Sequence, residues 1–177
     1  AVMGRRWADD ATPGALGRLD AAAIDRVRAE AWPEVSSADE LHDALLGLGF
    51  VAADEVSKSA EWPALLAALA KARRATQLTL PVAAGGSDRA VVTQQRVWTA
   101  AERLPQFDAL HPGAARDPVI GAPAEFAARA WDANEALVEL LRSRLQGLGP
   151  VTAQQLADSL ARPVGDVEAA LAQLPPK

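Results

Sequence analysis

Apolar residues recur at helical spacing three times in the first part of the chain. Ile24, Val27 and Ala31 follow Asp20; Leu41, Leu45 and Leu48 follow a capping box from Ser37 to Glu40; Trp62, Leu65, Leu66 and Leu69 follow in turn. Gly47 and Gly49 mark the end of the second helix. From Arg74 the period shortens: Leu78, Leu80 and Val82 alternate with Gln77 and Thr79, which predicts a strand. After Ala83-Ala84-Gly85-Gly86-Ser87-Asp88 a second β-rich run extends from Ala90 to Trp98, so the pair reads as a hairpin. Three helices followed by a two-stranded hairpin is the element order of a winged helix, the hairpin being the wing.

A short helix is expected over Ala100 to Leu110, then a turn-rich linker from His111 to Pro118 that suits a domain boundary. Pro123 can open a helix at Ala124, and Leu137, Leu140, Leu141, Leu145 and Leu148 form an apolar stripe beyond it. Leu148 to Leu174 then reads as a helix-turn-helix. Thr152 and Gln155 cap a helix bearing Leu156, Ala157 and Leu160; Arg162-Pro163-Val164-Gly165 breaks it; Asp166 can cap a second helix carrying Val167, Ala170, Leu171 and Leu174. The expected fold class is therefore mainly α with a small β-hairpin, in tandem winged-helix or helix-turn-helix units. Residues 1–18 form a lead-in, residues 19–118 a winged-helix unit, and residues 119–177 a second helix-turn-helix unit whose wing is missing or truncated.

Charge complicates that picture. A helix that reads the major groove donates Arg, Lys, Asn or Gln from its first turns, whereas the second helix here offers Asp166 and Glu168 and no Lys or Arg. Carboxylates beside phosphates repel, so this helix suits packing better than base reading. The 177 residues carry a net charge of −5, which leaves nucleic-acid binding to a local patch. The best patch runs from Lys71 to Arg103, where Lys71, Arg73, Arg74, Arg89, Arg96 and Arg103 stand against Asp88 and Glu102. Lys71, Arg73, Arg74, Arg89 and Arg96 are the candidate nucleic-acid contacts, with Gly85, Gly86 and Ser87 letting a wing tip approach phosphate and Gln94 and Gln95 adding hydrogen bonds. The competing reading is of solvated strand ends, since edge strands carry Lys and Arg to block aggregation.

Other side chains narrow the function classes. With no cysteine, disulfides and thiolate metal sites are excluded; only His42 and His111 offer imidazoles, without metal-site spacing. His42 falls off the Leu41, Leu45, Leu48 stripe and reads as a surface or interface residue. Trp7, Trp32, Trp62, Trp98 and Trp131 suit packing at element joins better than stacking on bases. No apolar run is long enough to cross a membrane and the start lacks a secretory signal, so a soluble, cytoplasmic product is expected, with no membrane partner. The start without Met and the end just past the helix-turn-helix fit a part of a larger protein.

Several segments resemble the C-terminal region of the bacterial large helicase-related (Lhr) proteins, which are superfamily 2 ATP-dependent helicases. They are GRRW at Gly4 to Trp7, Leu19 to Val35, Ala38 to Gly49, Ala100 to Phe107, and Leu137 to Leu160. The segments are spread along the chain from Gly4 to Leu160, and their specificity lies in these packing and capping patterns occurring together and in order. The resemblance implies an N-terminal ATPase core followed by tandem winged helices, in an enzyme that translocates on single-stranded DNA in the 3′ to 5′ direction, unwinds DNA or RNA:DNA hybrids, and serves DNA repair. ATP and Mg would be cofactors of that larger protein and not of this chain, which has no G-x-x-x-x-G-K-[ST] loop. Asp39-Glu40-Leu41-His42 resembles a motor motif only in letters, lying at a helix start where its acids favour the helix dipole. Other domains of the same chain and a homo-oligomer are further expected partners.

Two alternatives stay open. Part of the family resembles winged-helix DNA glycosylases linked to uracil removal, for which Asp108 or Asp132 would have to activate water beside an extruded base; both also fit a helix cap or a solvated face, and no catalytic residue is named. A free-standing winged-helix regulator is the other, with the acidic second helix against it.

Overall fold

The computed structural model describes residues 20–82 and 94–175. Its helices are α1 (Ala21–Ala31), α2 (Ala38–Leu48), α3 (Ala53–Val56), α4 (Trp62–Lys71), α5 (Leu104–Leu110), α6 (Ala124–Ala127), α7 (Ala133–Gly147), α8 (Ala153–Leu160) and α9 (Val164–Leu171), and its strands are β1 (Val51–Ala52), β2 (Ala75–Leu80), β3 (Gln95–Ala100) and β4 (Ala115–Asp117). The protein is mainly helical with a small antiparallel sheet in the order β1-β3-β2-β4. No described helix is long and apolar enough to cross a membrane.

Local chemistry sets the helix ends. Ser37 Oγ accepts the Glu40 N–H at 3.2 Å, while the Glu40 carboxylate reaches one residue further than a capping box requires, to the Ser36 N–H at 2.7 Å. Gly49, at φ 80°, ends α2, and a side chain there would press on Leu140 as well as strain the backbone. The Thr152 and Gln155 capping box at the start of α8 is complete.

β2 and β3 form the centre of the sheet, with Ala75 opposite Ala100 and Leu80 opposite Gln95. Alternation along them divides the interior. On one face Ala75, Trp98 and Ala100 join Val51 and the α2 and α4 side chains Leu41, Leu45, Leu48, Trp62, Leu66 and Leu69. On the other, Leu78, Leu80 and Val97 join Phe50, Leu104 and Phe107 and the α7 to α9 side chains Leu140, Leu141, Leu156, Leu160 and Val167. Each fully buried leucine contributes about 1.5–3 kcal/mol. Phe50 and Phe107 meet edge to face at 5.9 Å, and Trp32 stacks on Trp62 at 5.3 Å.

Several expectations change. The helix from Asp20 exists as α1, but it buries none of its residues and Val27 is exposed. The helices that pack beside the hairpin are α2, the short α3 and α4, with β1 inserted after α2. Four residues are too few to show a helical period, which is why α3 escaped the pattern. β3 pairs with β1 on one edge and β2 with β4 on the other, so the sheet has four strands and not two. The linker at His111 to Pro118 contains β4, with Thr79, Leu78 and Gln77 opposite Ala115, Arg116 and Asp117. The helix expected from Ala124 is short, since α6 ends at Ala127, and the leucine stripe belongs to α7, which Asp132 caps by accepting the Glu135 N–H at 2.8 Å. One apolar core joins Leu78 and Phe107 to Leu140 and Leu156.

Candidate nucleic-acid interface

The five predicted contacts separate. Lys71 ends α4 and is exposed, with no ion pair or hydrogen bond from its ammonium among the described residues. Arg73 follows at φ 59°, a left-handed conformation unusual for a residue other than glycine. It closes α4 as a Schellman motif: the Arg73 N–H donates to the Ala70 carbonyl at 3.0 Å and the Arg74 N–H to the Leu69 carbonyl at 2.9 Å. Among the described residues the exposed Arg73 guanidinium donates only to the Val119 carbonyl, at 3.4 Å. Arg96, opposite Thr79, is exposed at the start of β3 and has no carboxylate partner among the described residues. Arg89 and the wing tip at Gly85, Gly86 and Ser87 lie outside the described residues.

Arg74 is engaged elsewhere. Its guanidinium donates to Asp39 and, at 3.1 Å, to Nδ1 of His42. That guanidinium holds the Asp39 carboxyl below its ordinary range, first through the hydrogen bond and then through its charge. Because an arginine can only donate, His42 Nδ1 must be the accepting nitrogen, and Nε2 is left to donate to Glu102 at 3.1 Å. His42 is thus buried at the end of the sheet, so of the surface and interface positions open to it off the stripe it does not take the surface one. Arg103, the sixth basic residue of the patch, is also turned inward: Nε donates to the Leu46 carbonyl at 3.1 Å and Nη2 to Ser143 Oγ at 3.0 Å. Burial lowers its pKa, the neighbouring Glu139 opposing that.

Neither α4 nor α9 carries a basic side chain in its first turn. The exposed positions of α4 are Pro63, Ala64, Ala67, Ala68 and Lys71. In α9, Pro163 and not Asp166 precedes the first turn, and Asp166 instead accepts from Arg162 at 2.8 Å. Asp166 and Glu168 are both exposed. Gln173 is tied to Asn134 of α7 by two amide hydrogen bonds at 3.0 and 3.1 Å.

Asp108 and Asp132 have structural partners. Asp108 accepts from Arg116 of β4, and Asp132 caps α7. Of the tryptophans, Trp62 is fully buried, Trp32 and Trp98 are half-buried in its cluster, and Trp131 lies under Arg129 at 3.5 Å; Trp7 lies outside the described residues.

Sequence reasoning missed a cleft. Arg28, Lys58 and Arg144 line it together with Arg96, Gln94 and Gln95. One signal was available: Arg144 interrupts the apolar stripe of α7, where a charge must find a buried partner. A comparison with protein-family models and with curated proteins returned no match for this chain.

Proposed function

We propose that this chain is a non-catalytic winged-helix portion of an Lhr-type DNA helicase, contributing strand contacts and domain packing to a larger DNA-repair enzyme. The observation that carries this reading is the order α2–β1–α3–α4–β2–β3 with β3 between β1 and β2. That order supports a winged-helix reading, in which the segment between β2 and β3 would be the wing. α7, α8 and α9 add a second trihelical unit, packed on the first through the shared core. Lys71, Arg73 and Arg96 are the described members of the predicted patch whose charge is not already matched by a carboxylate. Single-stranded DNA or an RNA:DNA hybrid is the partner such exposed cations suit, through phosphate contacts that carry no sequence information. The acidic α9 serves as a scaffold.

Fluorescence anisotropy with a labelled oligo(dT) at low salt tests the reading. Binding is expected, and Asp166→Ala with Glu168→Ala is expected to change affinity by no more than about threefold, because these acids lie away from the contact. Absence of binding, or a large gain on removing the α9 acids, contradicts it.

A further inference from the structure

Arg74 stands next in sequence to the exposed Arg73, yet its guanidinium is drawn to a buried imidazole. Its main chain is fixed on both sides: the N–H donates to the Leu69 carbonyl at 2.9 Å and the carbonyl accepts from the Ala101 N–H at 2.9 Å. Only the side chain is free to change place, and that side chain is 39% exposed. One of its nitrogens bonds to Asp39, which is exposed, and another to Nδ1 of His42, which is not.

The bond between Arg74 and His42 exists in one protonation state of the ring only. A guanidinium keeps its charge and can only donate, so Nδ1 must hold a lone pair. Imidazole is the side chain whose charge changes between about pH 5 and 8. A second proton on Nδ1 removes the acceptor and sets imidazolium against guanidinium at 3.1 Å. Glu102, which already accepts from Nε2 at 3.1 Å, stays behind as counter-ion of the charged ring. The other charged groups on the surrounding elements do not intervene: Asp43 of α2 and Lys71 of α4 are exposed, and Arg103 is turned to Leu46 and Ser143. The repulsion therefore acts on the member of the set that can leave into solvent, the Arg74 side chain. Asp39 does not prevent this, because an exposed ion pair is weak and its carboxylate can follow the guanidinium outward.

We propose that His42 is a proton-controlled latch on Arg74: the neutral ring holds the guanidinium inward, and the protonated ring releases it to join Lys71, Arg73 and Arg96 as a fourth cation of the strand contact. The inference rests on the preceding reading for what the released cation meets, and not for the release itself. By reciprocity, a phosphate that engages Arg74 favours proton uptake by His42.

The chain has only two histidines, so long-range proton–nitrogen NMR spectra follow each imidazole separately. At about pH 7.5 His42 should carry a single proton, on Nε2, and at about pH 5.5 a second on Nδ1, with the Arg74 guanidinium protons losing their protection from exchange over the same interval. In parallel, oligo(dT) affinity at constant ionic strength should rise between those pH values about threefold more for the native chain than for His42→Gln, which keeps an acceptor and a donor but cannot gain a proton, or for Arg74→Gln, which has no charge to release. Guanidinium protons that stay protected while His42 gains its second proton, or a ring that gains none, overturn the latch. A rise of equal size in all three proteins overturns the part assigned to Arg74 in binding. Release of Arg74 without oligonucleotide binding at either pH upholds the latch and sinks the nucleic-acid reading.

Discussion

Arg144 Nη1 donates to the main-chain carbonyl of Phe50 at 2.8 Å while its guanidinium lies 4.6 Å from the centroid of the Phe50 ring. One side chain of α7 therefore holds the chain at the point where α2 gives way to β1, and through Glu55 it also holds α3, whose first turn Glu55 caps by accepting the Ala52 N–H at 2.9 Å. The two halves of the protein are joined by an ion pair as well as by a core.

Replacing Arg144 by Met leaves Glu55 and the Phe50 carbonyl without their donor. Breaking a buried pair from one side costs about 3–5 kcal/mol. Urea unfolding should show a loss of that size, with part of it recovered in Arg144→Met combined with Glu55→Gln; a loss under about 1 kcal/mol contradicts the joining role.

Arg73 occupies a position that glycine would fill without strain. Arg73→Gly is expected to stabilise the protein by about 1 kcal/mol by relieving the left-handed conformation. The same change should weaken oligonucleotide binding about two- to fourfold by removing one phosphate contact. Denaturation and anisotropy on one preparation measure both; effects of the same sign would remove Arg73 from the contact surface.

Gly149 lies against α1, where an added Cβ would come within 2.9 Å of the Arg28 Cα and N. α1 buries no residue, and Arg28 Nε reaches the Pro150 carbonyl at 2.8 Å, so this contact helps to hold it beside the Trp32 stack on Trp62. Gly149→Ala should undock α1 selectively: hydrogen exchange over residues 21–31 rises while exchange in α2 and α7 stays as it was. Unchanged protection of α1 would show another anchor.

His111 is buried, with Nε2 donating to the Leu160 carbonyl at 2.7 Å. Burial lowers its pKa below the ordinary imidazole value, the Leu160 hydrogen bond opposes that, and Arg162 adds to it. The unfolded chain takes up a proton near about pH 6.5 and the folded chain only at lower pH. Between these values the unfolded state binds more protons, so stability is complete above about pH 6.5 and falls as the pH drops toward the folded value. His111→Gln should flatten the difference in unfolding free energy between about pH 7 and about pH 5; an equal slope in both proteins contradicts the assignment.

The long helices were legible because their faces are periodic: Leu41, Leu45 and Leu48, or Leu137, Leu140 and Leu141, bury as the spacing requires. β1, α3 and β4 were not, since two, four and three residues carry no period and exist through pairing or a cap. The extent of α1 could be read, but not its exposure, because amphipathic spacing says which face can pack and not whether a partner is there. For the site, position identified Lys71, Arg73 and Arg96 as exposed cations. It could not reveal that Arg74 and Arg103 turn inward to His42 and Leu46, which depends on residues distant in sequence.

The strand contact proposed above lies at the end of α4 and on β2 and β3, and not on the acidic α9. Its most direct test is the salt dependence of oligo(dT) affinity for Lys71→Ala, Arg73→Ala and Arg96→Ala combined. Loss of three phosphate contacts to a single strand should flatten the slope of log affinity against log salt by about two units. An unchanged slope would contradict the account.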